Sequence, residues 1–156
     1  MIPHDALIGF YRVLLFTCAF PGPDRGAEQA WQWQQKIKAL THLAQTGEIR
    51  PCERVLADIR SRVEMDEGNL RLWTKQQMEL EDGLRTWRNI RDGAREPKHR
   101  KSAQRDIDAT MNILKDHTKF RVIPAQRLLQ KRRSEERAFV LVYRTIQFGR
   151  RVLIRP

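Results

Sequence analysis

Through most of this sequence the apolar residues recur at helical spacing, three or four positions apart, between proline and glycine punctuation. That pattern predicts an all-α chain. Leu7, Tyr11, Leu14, Leu15 and Cys18 form a first stripe, capped by Asp5 and stopped by Pro21-Gly22-Pro23. Trp33, Ile37, Leu40 and Ala44 predict a second helix from about Ala27 to Gln45, closed by Gly47. A third starts after Arg50 with Pro51 in its first turn and buries Val55, Leu56, Ile59 and Val63. Gly68-Asn69 reads as its end. Leu70, Trp73, Leu80, Leu84 and Trp87 predict a fourth helix, about Leu70 to Arg91, ended by Asp92-Gly93. Residues 94–101 read as a basic linker. Ser102 caps a fifth helix, about 102–117, with Ile107, Met111 and Leu114 inward. A basic helix follows Pro124, about 125–143, ahead of an extended end. Within it, Ala138 to Phe148 is β-branched and aromatic, so helix and strand both stay open there.

Charge divides the chain in two. Residues 1–90 hold 12 Lys and Arg against 12 Asp and Glu, whereas residues 91–156 hold 18 against 7. The whole net charge of +11 therefore lies in the back part, and the two parts are expected to face different partners. Three basic clusters carry the excess: Lys98, Arg100 and Lys101; Lys131, Arg132 and Arg133; Arg150 and Arg151. Ribosomal RNA, an anionic lipid surface and acidic protein neighbours are all candidate partners for such clusters.

Catalytic chemistry is not legible. His4, His42, His99 and His117 are not spaced as a zinc pair, and neither Cys18 nor Cys52 has a CxxC partner. Both cysteines read as buried apolar thiols. No phosphate loop, nucleophile elbow or dinucleotide fingerprint is present, and the acidic pairs Glu79/Glu81 and Glu135/Glu136 read as solvated helix faces. The expectation is a protein that is not an enzyme and has no metal site. Val13 to Phe20 is apolar after Arg12, but Asp5 and Phe20-Pro21-Gly22-Pro23 are wrong for a cleaved signal peptide, so it reads as a retained helix.

The first stripe contains Phe10-Tyr11-Arg12, then Val13, Leu14, Leu15 and Phe20. This resembles the LYR-motif family of small mitochondrial helical proteins, with Phe10 where the family has Leu. Ile59-Arg60-Ser61-Arg62 is similar to the family's second-helix pattern. Lys75-Gln76-Gln77-Met78-Glu79-Leu80-Glu81 followed by Trp87-Arg88 is similar to its third helix, especially in members on the matrix arm of respiratory complex I. The resemblance covers about residues 5–91, and residues 24–50 look like an inserted helix.

The resemblance implies an antiparallel LYR-type bundle over residues 1–91 with a basic, partly extended extension over 92–156. It implies an adaptor that binds the acylated mitochondrial acyl carrier protein, which supplies its own 4'-phosphopantetheine. Phe10, Tyr11, Arg12, Phe20, Arg60, Arg62, Lys75 and Arg85 would form the carrier surface, although Arg60 and Arg62, two apart, do not share a helix face. The expected setting is the mitochondrial matrix or the matrix face of the inner membrane, as an accessory subunit of a respiratory complex, complex I preferred. A mitoribosome component or assembly factor with the same carrier pairing is the alternative, and an unrelated basic helical nucleic-acid-binding module is a further one.

Overall fold

The computed structural model describes residues 26–154. The expected first helix, with Phe10, Tyr11, Arg12, Cys18 and Phe20, lies outside the described residues. Four helices follow: α1 (Gly26–Thr46), α2 (Arg50–Gly93), α3 (Pro97–His117) and α4 (Ile123–Ile154), with a π-turn at Thr118–Val122 between the last two. No strand occurs among the described residues, and the all-α expectation holds.

Several boundaries differ from the expected ones. Gly68-Asn69 does not end a helix, because α2 runs 44 residues through it. A mid-helix glycine costs only about 1 kcal/mol. Buried Val63 and Asp66 anchor the turns just before it, and Glu67 pairs with Arg71 across it. The basic linker shrinks to Ala94–Glu96, since α3 starts at Pro97, five residues before Ser102. Pro97 supplies a fixed φ where no N–H is needed, so Ser102 is interior rather than a cap. Pro124 does not start a new helix either. The wider π-turn accepts a residue that lacks an N–H and whose ring crowds the carbonyl four back, and no non-helical residue separates Pro97 from Ile154. Residues 138–148 are helical, with Phe139, Val142 and Ile146 buried on one face, and helix continues to Ile154 in place of an extended end.

Two compact units result among the described residues: 26–64 together with 130–154, and 65–129. They do not coincide with the expected division at 91/92 into a bundle and an extension. In the first unit α1, the start of α2 and most of α4 enclose one core of Leu40, Leu43, Cys52, Ile59, Phe139, Val142 and Ile146, flanked by Trp33, Ile37, Val55, Leu56 and Tyr143. The Cys52 thiol donates to the Ala39 carbonyl at 3.3 Å, and burial pushes it up to about 12; it is the buried thiol expected. Gly47 closes α1 at φ +81°, its N–H donating to the Leu43 carbonyl. The Arg150 guanidinium covers this end, donating to the Ala44 carbonyl.

In the second unit Leu84 of α2 and Ala103 and Ile107 of α3 are buried, as are Val122 and Leu129. Met111, expected inward, is exposed, and Ala103 takes the inward position one turn before Ile107. His117 Nε2 donates to the Trp73 carbonyl at 2.9 Å, and the Arg121 guanidinium lies over the Trp73 ring.

Candidate functional site

A cavity of about 190 Å³ opens among the three helices of the first unit. α1 contributes Gln32, Gln35 and Lys36, spaced to share one face; α2 contributes Arg54, Val55, Asp58, Ile59 and Arg62; α4 contributes Arg132 and Glu135. Lys36 and Glu135 form an ion pair with side chains only 7% and 8% exposed. Arg132 reaches the same carboxylate at 3.4 Å, and Arg62 pairs with Asp58 at 2.9 Å within α2. Burial, then the Arg132 and Arg62 guanidinium groups, lowers the Lys36 ammonium to about 8. Glu135 opposes this, because its carboxylate against the ammonium favours the charged form.

Four cations (Lys36, Arg54, Arg62, Arg132) face two carboxylates (Asp58, Glu135) around an apolar strip of Val55 and Ile59, with Trp31 57% exposed at the rim. Such a mixture accepts an anionic group that carries an apolar arm. The volume is below the roughly 300 Å³ at which small-molecule pockets begin, so the cavity has room for the end of a ligand rather than for a whole one. Among the described residues no group of His, Cys, Asp or Glu is arranged to hold a metal, and no helix is long and apolar enough to cross a membrane.

The expected site residues are only partly gathered. Arg62 lines the cavity, whereas Arg60 points elsewhere and pairs with Glu136 of α4 at 2.8 Å. Lys75 and Arg85 belong to the second unit, exposed on α2 and paired within the helix with Glu79 and Asp82. Of the basic clusters, Lys98, Arg100 and Lys101 are exposed in the first turns of α3, as is Arg133 on α4. Arg132 and Arg150 are engaged inside the fold, Lys131 is half-buried, and the side chain of Arg151 lies outside the described residues. Glu135 and Glu136 are not a solvated face: one is buried against Lys36 and the other holds Arg60.

Lys36, Arg54 and Glu135 were not legible as site residues. The available signal was that Lys36 sits four residues before Leu40 and seven before Leu43, on the stripe that fills the core. No known protein family, curated protein or solved structure matches the chain.

Proposed function

We propose that this chain is a non-catalytic helical adaptor of LYR type that holds an acidic, acylated carrier protein. The observation that supports this reading is the cavity: the cations that line it suit carboxylates and a phosphate, and Val55 and Ile59 suit the apolar end of a prosthetic arm. Each methylene withdrawn from water there would contribute about 0.8 kcal/mol. Tyr11 and Arg12 enter through the sequence resemblance alone. On the same footing the adaptor serves as an accessory subunit of a mitochondrial respiratory complex at the matrix side, with complex I favoured by the Lys75-to-Trp87 likeness.

The test is co-expression with an acidic acyl carrier protein, with native mass spectrometry of the recovered complex. A one-to-one complex carrying phosphopantetheine and a fatty acyl group is expected. Arg54→Glu with Arg62→Glu should weaken it at least tenfold without loss of helical circular dichroism. Equal binding of a carrier without its prosthetic group, or no binding at all, refutes the reading.

A further inference from the structure

The second unit turns back on itself at Ala94–Glu96, and the surface around that turn is unusually cationic. Residues 91–105 hold six Lys and Arg against Asp92 and Glu96. Asp92 is already engaged by Arg91 at 2.8 Å, and Glu96 lies exposed with the His99 ring 3.8 Å away. Arg91 also donates to Gln104, and Arg100 donates to the Ala94 carbonyl at 2.7 Å, so these two arginines fix the turn. Lys98, Lys101 and Arg105 do not. They are exposed, and none of them has a carboxylate within ion-pair distance among the described residues. On α2, by contrast, exposed Arg71, Lys75 and Arg85 each meet an acid on their own helix.

The three unpaired cations stand at i, i+3 and i+7, on one face of α3 over about 10 Å of axis. Beside them Arg91, Asp92, Arg100, Lys101 and Gln104 line an open depression of about 490 Å³. Residues 91–105 contain no Leu, Ile, Val, Met, Phe, Tyr or Trp. A bilayer surface is held by buried apolar side chains as well as charge, and a protein interface is dominated by aromatic or aliphatic anchors; this surface has neither. Single-stranded nucleic acid is gripped partly by stacking on aromatic rings, and these too are missing. What remains is a rigid line of cations suited to a duplex backbone, where phosphate contacts alone carry affinity.

We infer that the turn and first half of α3, through Lys98, Lys101 and Arg105, form a docking surface for the phosphate backbone of a nucleic-acid duplex. The surface is independent of the carrier reading, which concerns the other unit.

The experiment is fluorescence anisotropy of the full chain with a labelled RNA duplex of mixed sequence, repeated across a salt series. Changing Lys98, Lys101 and Arg105 all to Gln should lower affinity at least tenfold at low salt. It should also flatten the slope of log affinity against log salt by about 2–3, as expected for three lost phosphate contacts. A control with Arg88, Lys115 and Arg127, exposed in the same unit, changed to Gln removes the same charge and should cost only a few-fold. Circular dichroism confirms that both variants stay helical. A DNA duplex should compete within a few-fold, because backbone contacts read no sequence. Equal losses in the two variants, no duplex binding at low salt, or binding through Lys98, Lys101 and Arg105 only to phosphatidylserine vesicles would each overturn the inference.

Discussion

The Lys36–Glu135 pair offers the most direct test of how the first unit is built, because its two halves are not equivalent. Both side chains are more than nine-tenths buried, but Glu135 faces two cations, Lys36 and Arg132, while Lys36 loses only one close anion if Glu135 goes. Glu135→Gln leaves an ammonium and a guanidinium confronting each other in a partly dry site. Removing one partner of a buried pair costs about 3–5 kcal/mol, and the repulsion between the stranded cations places this change at the upper end. Lys36→Met keeps the side-chain volume and leaves Glu135 with Arg132, so it should cost only about 1–2 kcal/mol. For a chain of this length 1 kcal/mol corresponds to about 2–4 °C in Tm; Glu135→Gln should therefore lower the midpoint by about 10 °C or more, and Lys36→Met by less than half of that. Combining Lys36→Met with Glu135→Leu should cost less than Glu135→Gln alone, since the desolvation penalty goes with the charges. The assay is thermal unfolding followed by alkylation of Cys52, a thiol inside this unit's core, with peptide mass analysis to separate it from Cys18. Equal losses for the two single changes, or a double change worse than Glu135→Gln, would refute the asymmetry.

The end of α1 and the core thiol give two further expectations. Gly47→Ala places a Cβ at φ +81° and 3.0 Å from the Arg150 guanidinium; the left-handed conformation alone costs about 1–2 kcal/mol, a drop of several degrees in a circular-dichroism melt. Adding Arg150→Ala should relieve the contact but lose the cap, so the two effects should not add. Cys52 should resist iodoacetamide in the native protein at neutral pH. Because its folded value is raised from about 9 to about 12, the stability it contributes as a neutral thiol is present below pH 9 and is lost as pH climbs from 9 towards 12. A base-unfolding midpoint unchanged by Cys52→Ser, corrected for its loss at neutral pH, would contradict this.

The helices were legible because burial imposes its period on sequence. Leu40, Ala44, Ile59 and Leu84 are buried where the stripes put them. The helix ends were less so, since glycine and proline signal breaks only when flanking turns do not hold the helix together. Gly68 is spanned by the Glu67–Arg71 pair, and Pro124 is absorbed by a π-turn that no periodicity announces. The cavity was hidden for a different reason. Lys36 and Glu135 are 99 positions apart, and an isolated cation on an apolar stripe does not say which anion will meet it. Glu135-Glu136 reads as a polar doublet until packing sends its two members to different partners, Lys36 and Arg60.

The same sorting of charge separates the two proposed surfaces experimentally. A net charge of +11 would suggest a diffuse basic tail, yet the structure withdraws part of it: Arg132 serves the buried carboxylate, Arg150 the end of α1, and Arg91 and Arg100 the turn. Cations in the cavity act over short distances in a partly desolvated setting, where added salt screens little. Lys98, Lys101 and Arg105 stand in full solvent, where affinity falls steeply with salt. Raising salt should therefore strip nucleic acid from the chain while leaving a bound carrier in place. Both partners leaving together, over the same salt interval, would mean that carrier binding too relies on exposed charge and not on the cavity.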